Sequence, residues 1–443
     1  MPRSADSGTI PPLAGRRRYF YGWNIVAAAF LANLAYAEHY TSVLGLFIKP
    51  LQAEFGWSRS AIAGVQTVAR VAEALVAPMI GPLVDRKGPR FLMPIGAVIV
   101  GLAMLGITQV RELWQFYALR GVAAAAGFTL MGALVTNVAI SNWFVRKRGR
   151  ALSIARVGNN LSNVIFVPVV VFIIANHGWR NVFLVFAIFT WLTVIIPSTL
   201  LMRRRPEDLG LLPDGDQPDR NAQDPVDRDQ AGAGVAPSSE PVWTRRQVLA
   251  TASFWLLALC MGIDSMALQG LNITLAPYIQ DLGYNDTSLA AIMTFRALAM
   301  AAAFPVVAFI AERSQKTLWR VLPFVVQGTA AFLFLFAGEP VLLWVAVVLY
   351  GLGIAALTVI IEVVWAEYFG RVSLGLVRSL AFLVAFGFGA AGPLVMSAIF
   401  DLTQSYHLAF LLLGVLFGVA AVLMGILRPP RRSGRIDLKS LTT

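Results

Sequence analysis

Residues 341–360 read VLLWVAVVLYGLGIAALTVI and contain no charged side chain. At a helical rise of about 1.5 Å per residue, this run extends about 30 Å, which is the thickness of a bilayer's hydrocarbon core. Similar runs recur along nearly the whole chain of 443 residues, in which charged residues make up only 14%. Since soluble domains carry about 25% charged residues, the sequence predicts a protein that crosses a membrane many times.

Twelve such runs predict an all-α membrane protein with two six-helix bundles. The predicted spans lie at about 22–48, 59–84, 90–109, 112–141, 149–175, 179–202, 250–280, 287–311, 319–338, 341–367, 373–400 and 405–427. We expect five segments: an N-terminal tail at 1–21, a bundle at 22–202, a linker at 203–249, a second bundle at 250–427 and a C-terminal tail at 428–443. The linker contains PDGDQPDRNAQDPVDRDQ, a composition too polar to bury a core of its own.

The positions of the basic residues predict the orientation of the chain. If both termini are cytoplasmic, 27 of the 36 Lys and Arg residues lie in cytoplasmic segments and only Lys49, Arg59, Arg111 and Arg180 lie outside. This asymmetry follows the positive-inside rule and predicts a multi-pass protein of the cytoplasmic (inner) membrane. Anionic membrane lipid accounts for the net charge of +12, so we expect no nucleic-acid partner.

Several other functions are excluded by missing motifs. Cys260 is the only cysteine, so the chain has neither a disulfide framework nor a cysteine metal cluster. There is no phosphate-binding G-x-x-x-x-G-K-[ST] sequence, and neither H-E-x-x-H nor G-x-S-x-G occurs. The run Gly387–Gly392 satisfies G-x-G-x-x-G but lies inside an apolar span, where small residues predict close helix packing. We therefore expect no cofactor, no metal and no enzymatic activity.

The two halves show signs of an internal repeat. Pro78 is followed seven residues later by Asp85, and Pro305 is followed seven residues later by Glu312. A repeat of this kind, joined by a linker, is typical of transporters in which two bundles rock around a central site.

The loop after the second span carries the most specific motif. Residues 81–90 read GPLVDRKGPR and resemble the G-x-x-x-D-R-x-G-x-R signature of the major facilitator superfamily. The resemblance implies the major facilitator fold, alternating access and a gating role for the keyed residues Gly81, Asp85, Arg86, Gly88 and Arg90. Arg120, in the fourth span, resembles that superfamily's intramembrane arginine. The proline-glycine signature of drug exporters is absent from the fifth span, which reads Val157-Gly158-Asn159.

Three further stretches are similar to bacterial relatives of the monocarboxylate transporters and oxalate/formate antiporters. They are YGW at 21–23, EFGWSRS at 54–60 and NWF at 142–144. In monocarboxylate carriers a cation in the eighth span binds substrate, and Phe295-Arg296 resembles that position. These carriers commonly place an acid one turn earlier, where this chain has Ile292.

Charged side chains inside spans are candidates for substrate and proton binding, because each costs about 2.5–3.5 kcal/mol to insert. We predict substrate binding by Arg296, Arg120, Asn159 and Tyr278. We predict proton coupling by Asp264 in the first place, then Glu73, which shares a helical face with Arg70, and then Glu38. His39 is a candidate for sensing external pH, and Glu362 and Arg378 are predicted to gate.

These residues predict a monomeric secondary transporter that moves a small organic anion together with protons. Proton symport of a monocarboxylate is the leading hypothesis. Exchange of organic anions, and import or export of a larger hydrophobic or aromatic solute, remain open.

Overall fold

A computed structural model describes residues 20–39, 41–215, 243–313, 317–370 and 373–430, and every regular element in these ranges is a helix. Eleven of these helices are long and apolar enough to cross a membrane by length and composition. The tails at 1–19 and 431–443 and the linker residues 216–242 lie outside the described part of the chain.

We number the helices α1 to α12 in chain order and divide the first into two parts. They are α1a Gly22–Leu34, α1b Thr41–Phe55, α2 Arg59–Lys87, α3 Pro89–Ile107, α4 Leu113–Trp143, α5 Arg148–His177, α6 Trp179–Leu201, α7 Ala252–Asp281, α8 Asp286–Arg313, α9 Thr317–Leu333, α10 Pro340–Phe369, α11 Leu374–Thr403 and α12 His407–Ile426. From α2 onward, each begins and ends within a few residues of its predicted span.

The first predicted span differs from the expectation because it is not one continuous helix. A 3₁₀ turn at Ala35–His39 separates α1a from α1b. The backbone carbonyl of Glu38 accepts a hydrogen bond from Arg120 Nη2 in this turn, at 3.0 Å. Irregular backbone at membrane depth is tolerated where protein groups bond to its polar atoms, and Arg120 does so here.

The two halves of the structure pack in the same way. In the N-terminal bundle, α1a packs on α5, α2 and α3 pack on α4, and α3 packs on α6; in the C-terminal bundle the same contacts join helices numbered six higher. The contacts between bundles obey the same rule, since α2 meets α11 and α5 meets α8. The internal repeat suggested by the proline spacing is therefore present in the packing.

Two glycines allow the central helices to approach each other. A Cβ atom at Gly158 of α5 would lie 2.4 Å from the backbone oxygen of Phe30 in α1a. A Cβ atom at Gly392 of α11 would lie 2.2 Å from the backbone oxygen of Met266 in α7. Gly392 therefore serves close helix packing, as we expected for the run at 387–392.

Residues of the resembling stretches join elements within the N-terminal bundle. The Tyr21 hydroxyl donates to the backbone oxygen of Leu201 at 3.0 Å, and Trp143 Nε1 donates to the backbone oxygen of Arg203 at 3.2 Å. The Tyr21 and Trp143 rings pack with centroids 5.5 Å apart. These contacts hold the start of α1a against the ends of α4 and α6.

The described ends of the linker are attached to different bundles. The Asp214 carboxylate accepts hydrogen bonds from the backbone N–H groups of residues 145–147, at 2.7–3.1 Å, in the loop between α4 and α5. At the other end, the backbone N–H of Trp243 donates to Ser373 Oγ at 2.7 Å, and a short helix follows at Arg245–Leu249. Each end of the linker thus contacts the bundle next to it in sequence.

Candidate functional site

Four polar side chains from four helices meet in the C-terminal bundle. They are Asp264 of α7, Arg296 of α8, Gln327 of α9 and Tyr350 of α10. Gln327 lies beside Asp264, and Tyr350 interacts electrostatically with both Asp264 and Arg296. Arg296 lies ten residues into its helix and Asp264 twelve, so both are about 15–18 Å from a helix end and near the middle of their helices.

This cluster contains unused hydrogen-bonding capacity. Asp264 Oδ1, Arg296 Nη1 and the Tyr350 hydroxyl are buried atoms with no hydrogen-bond partner among the described residues. Buried polar atoms without partners cost about 1–3 kcal/mol each, so proteins rarely keep them without a reason. A guanidinium with a free donor, close to a phenol, can bind the carboxylate of a ligand. We call these four residues the Arg296 cluster.

The arginine of the N-terminal bundle is in a different situation. Arg120 is 2% exposed, and its Nε lies 2.8 Å from Glu38 Oε1. Its Nη1 donates to Gln66 Oε1 at 3.0 Å, in addition to the bond from Nη2 to the Glu38 backbone. Arg120 and Glu38, predicted for substrate and proton, are thus bound to each other. Their arrangement joins α4 to the turn between α1a and α1b.

A second acidic residue of the N-terminal bundle is held between two basic ones. Glu73 Oε1 contacts His39 Nε2, and Glu73 Oε2 accepts a hydrogen bond from Arg70 Nη1 at 3.2 Å. The sequence suggested that Arg70 and Glu73 share a face, and the structure brings them together. The sequence did not predict the contact between Glu73 and His39, because residues on different spans have no fixed spacing in sequence.

Asn159 and Tyr278, also predicted to bind substrate, lie in different environments. Asn159 belongs to α5, which packs against α8, the helix that carries Arg296. Its Oδ1 atom is buried and has no hydrogen-bond partner within the described ranges. The Tyr278 hydroxyl instead donates to the backbone oxygen of Phe334, near the end of α7. Tyr278 is therefore not brought into the Arg296 cluster.

A network that the sequence did not predict joins the two bundles at the end of the molecule where α2 begins. Arg59 Nη1 and Nη2 donate to the two carboxylate oxygens of Asp281 at 2.7 and 3.1 Å, and Arg59 Nη1 also donates to the Tyr406 hydroxyl at 2.8 Å. Asp401 accepts from the backbone N–H groups of Arg59 and Ser60 at the start of α2. We call Arg59, Asp281, Asp401 and Tyr406 the Arg59 lock.

The lock closes one end of the space between the bundles. The Arg59 guanidinium also lies over the Phe400 ring, 3.6 Å from its centroid. Below the lock, Thr41 Oγ1 donates to Gln269 at 2.7 Å, and Thr67 Oγ1 donates to the backbone oxygen of Ala390 at 2.6 Å. The resembling stretch EFGWSRS contains Arg59, so the motif marks the lock residue without revealing its partners.

The predicted gating residues lie at the opposite end of α2. Gly88 ends α2 with φ = +78°, a value that glycine adopts easily, and Arg86 and Arg90 are exposed on either side of it. Arg378 is exposed on α11. The side chains of Gly81, Asp85 and Glu362 lie outside the described part of the structure, so their gating roles remain predictions.

Comparison with known proteins identifies the family of the chain. The profile of the Major Facilitator Superfamily matches residues 28–263 and 257–441. The chain therefore belongs to this superfamily, and it is a multispanning membrane transporter rather than an enzyme.

Its relatives of known name include several monocarboxylate transporters. Monocarboxylate transporter 12 of Rattus norvegicus is 22% identical over 95% of this chain and 88% of its own length, and monocarboxylate transporter 2 of Homo sapiens is 22% identical over 95% and 87%. Monocarboxylate transporter 11 of Mus musculus is 30% identical, but the match covers only 39% of this chain and 38% of that protein.

Solved structures share the fold at lower identity. A bacterial homolog of the human lysosomal transporter Spinster, in an inward-facing conformation, superposes with a TM-score of 0.71 at 14% identity, covering 93% of this chain and 97% of the other. A D-xylose–proton symporter gives a TM-score of 0.69 at 15% identity, covering 92% and 98%. The predicted fold, two six-helix bundles of the major facilitator type, is confirmed.

Proposed function

We propose that this transporter carries a small organic anion, a monocarboxylate, across the cytoplasmic membrane by proton symport and alternating access. The observation that carries the proposal is the Arg296 cluster, in which a buried guanidinium has a free donor, a buried carboxylate has a free acceptor, and Tyr350 interacts with both. The names of the monocarboxylate relatives support the same class of substrate.

Arg296 is the proposed binding group for the anion. Its planar guanidinium offers two parallel N–H donors that match the two oxygens of a carboxylate, and it stays charged at every working pH. Asn159, on the helix of the other bundle that packs against α8, is a second proposed contact: its amide Nδ2 would donate to the anion, and its Oδ1, which has no protein partner in the described chain, would accept from a hydroxyl of the solute. An anion between them would touch both bundles at once.

Asp264 is the proposed carrier of the proton. Glu38 forms an ion pair with Arg120, and Glu73 forms ion pairs with Arg70 and His39, whereas Asp264 forms no ion pair with any described residue. A carboxylate that lies close to an anion site changes its proton affinity when the anion enters, since a nearby negative charge favours the neutral acid. Proton and anion would therefore bind together more readily than either alone.

Alternating access requires the Arg59 lock to open and close. With the lock formed, the two bundles are held together at the end of the molecule where α2 begins. The distribution of basic residues supports a topology with this end outside the cell and both termini in the cytoplasm. The structure would then correspond to a state closed to the outside.

Uptake into proteoliposomes tests the function. The purified protein is supplied with radiolabelled lactate, pyruvate, benzoate and oxalate, with and without an inward proton gradient. We expect one or more monocarboxylates to accumulate above equilibrium only with the gradient, and Asp264→Asn to reduce this accumulation while exchange of internal for external acid continues. Uptake that needs an internal acid but ignores the gradient would instead indicate an exchanger.

Single cysteines test the orientation. In a Cys260→Ser background, Asp286→Cys and Glu207→Cys each introduce one thiol at an exposed position. The first lies at the proposed outer end of the protein and the second at the proposed cytoplasmic end. An impermeant maleimide added to whole cells should label Asp286→Cys alone. Labelling of Glu207→Cys in intact cells would reverse the proposed topology.

A further inference from the structure

The anion site proposed above on Arg296 and Asn159 leaves the charged group formed by His39, Arg70 and Glu73 without a role. The side chains of Arg70 and Glu73 are 25% and 18% exposed, and they lie at the open end of this group. His39 lies at its closed end, where its ring packs against the rings of Tyr36 and Phe128 with centroids 5.3 and 4.8 Å away. The group thus runs from a buried imidazole, through a carboxylate, to an accessible guanidinium.

Neighbouring contacts on α2 locate Arg70 between the two bundles. Thr67, one turn earlier, donates to the backbone of Ala390 in the C-terminal bundle. Glu73, one turn later, contacts His39 in the N-terminal bundle. Because Arg70 follows Thr67 by three residues, it lies close to the face of α2 that meets the C-terminal bundle.

Arg70 and Arg296 also lie at similar depths on equivalent helices. Arg70 is eleven residues from the start of α2, and Arg296 is ten residues from the start of α8, which corresponds to about 16 and 15 Å. The helices α2 and α8 are related by the internal repeat, since α2 meets α11 as α8 meets α5. Each bundle therefore presents one arginine at the same level.

The protonation of the group decides whether Arg70 is free to bind an anion. With a neutral imidazole, the carboxylate of Glu73 balances the charge of Arg70. With a proton from the aqueous phase on the imidazole, Glu73 faces two cations and the group carries a net charge of +1. A charge of this size at about 6–8 Å in a partly buried site changes anion affinity by roughly tenfold or more.

We infer that protonation of His39 releases Arg70 from Glu73 and makes it a second binding group for the transported anion, opposite Arg296. This inference rests on the proposed function and adds a residue from the N-terminal bundle to the anion site. Proton and anion bind there in support of each other, because each changes the affinity of the other by the same factor.

The other charged groups around His39 are engaged elsewhere or lie apart from it. Glu38, its neighbour in the turn, is paired with Arg120. The turn is also surrounded by the helices α1a, α1b, α5 and α6 and by the middle of α4. The charged or titratable side chains on these helices are Lys49, Glu54, Arg148, Arg150, Arg156, His177 and Arg180. Lys49 pairs with Asp281, Arg180 pairs with Glu54, and Arg156 is exposed. On α11, which packs along α2, Asp401 belongs to the Arg59 lock and Arg378 is exposed near the opposite end.

Exchange of labelled lactate at equal pH on both sides tests the inference, because exchange requires no net movement of protons. KM is measured at pH 6 and pH 8 in wild type, His39→Gln, Arg70→Gln and Arg70→Lys. In wild type we expect KM to rise roughly tenfold from pH 6 to pH 8. His39→Gln and Arg70→Gln should raise KM at pH 6 and keep only the part of the change with pH that comes from Asp264, whereas Arg70→Lys should retain more of the change since it keeps the charge.

His407→Gln is the matched control, because His407 is exposed at the start of α12, outside this group. It should behave as wild type. A full rise in KM in His39→Gln, or a wild-type KM at pH 6 in Arg70→Gln, would overturn the inference. Exchange by the wild-type protein is measured before that of the variants. Its failure to exchange lactate or any acid of the panel would instead refute the proposed function.

Discussion

Each bundle holds an arginine inside a membrane-spanning helix, and the two are bonded in opposite ways. Arg120 of the N-terminal bundle bonds to Glu38 and Gln66 and is almost completely buried. Arg296 of the C-terminal bundle keeps an unpaired donor, and the Oδ1 atom of Asp264 and the hydroxyl of Tyr350 have no hydrogen-bond partner within the described chain either. The helices of the two bundles pack alike, but Arg120 also bonds to the backbone of the 3₁₀ turn that interrupts the first helix, and the corresponding helix α7 has no such turn.

This difference distinguishes a residue that holds the bundle together from a residue that binds a ligand. A buried charge is costly to leave without a partner, so a paired arginine is already satisfied in the empty protein. An unpaired buried arginine has lost its hydration without gaining a protein partner. An anion that binds to it supplies the missing partner and finds the site already formed. Removing the first should harm folding, and removing the second should harm transport.

Arg296 should show the largest effect on transport. Arg296→Lys keeps the charge but loses the two parallel donors, and Arg296→Gln loses both, so binding should weaken in the order wild type, Lys, Gln. A charged hydrogen bond contributes about 1.5–3 kcal/mol, so we expect KM for the transported acid to rise by roughly ten- to a hundredfold in the Gln variant. The measurement is saturation uptake of the labelled acid.

A compensating variant separates binding from simple charge pairing. If Arg296 only neutralises Asp264, the double variant Arg296→Gln/Asp264→Asn should regain exchange activity. An inactive double variant that still melts like wild type would favour direct contact with the anion.

Arg120 should show the largest effect on stability. Arg120→Gln leaves Glu38 as an unpaired buried charge and should cost about 3–5 kcal/mol of unfolding free energy. The double variant Arg120→Gln/Glu38→Gln should recover much of this loss, since it removes both charges. Thermal melting in detergent measures the change.

Arg296→Gln in the same melting assay is the control for this comparison. Because Arg296 has a free donor, its removal should leave the melting temperature unchanged or slightly higher. Equal loss of stability in Arg296→Gln and Arg120→Gln would mean that the two arginines do not differ in role.

Arg59 extends the comparison to an arginine that is paired between the bundles rather than within one. Arg59→Ala should leave the stability of each bundle nearly unchanged and should favour opening of the locked end. In a Cys260→Ser background, Gln269→Cys below the lock should react several-fold faster with an impermeant maleimide once Arg59 is removed. Lys49→Ala, which removes only the outer partner of Asp281, should have a smaller effect.

Asp214 should show the smallest effect, since it attaches the linker to one bundle only. Burial by itself raises the pKa of the Asp214 carboxyl, but the N–H groups of Arg146, Lys147 and Val145 outweigh it and hold the pKa below its ordinary value of 3.8. The ionised carboxylate therefore stabilises the fold above about pH 4, and this contribution is lost as the pH falls through the lowered pKa.

Melting of Asp214→Asn at two pH values tests this contribution. At pH 7 the variant should be less stable than wild type by about 1 kcal/mol, because an amide accepts fewer of the three hydrogen bonds. At pH 3 the difference should shrink. A difference that stays constant between the two pH values would show that the charge of Asp214 is unimportant.

Much of the fold could be predicted because its signals are local. Apolar runs located every span from α2 to α12 within a few residues, and the motif at 81–90 indicated the superfamily. The break in the first span was not predicted, because it depends on Arg120, which is far away in sequence. For the same reason the sequence identified Arg296, Asp264, Arg70 and Glu73 as unusual charges but could not say which of them are paired.

The sequence by itself determined that the chain crosses a membrane many times, that its halves repeat and that several charges lie at membrane depth. Hydrophobic length and charge position fix these features, since each depends on residues close together in the chain. Only the packing of the helices shows which charges form ion pairs: Arg120 with Glu38, Arg59 with Asp281, Glu73 with His39, and Arg296 with no described residue. Pairing depends on distances between helices, and packing alone sets those distances.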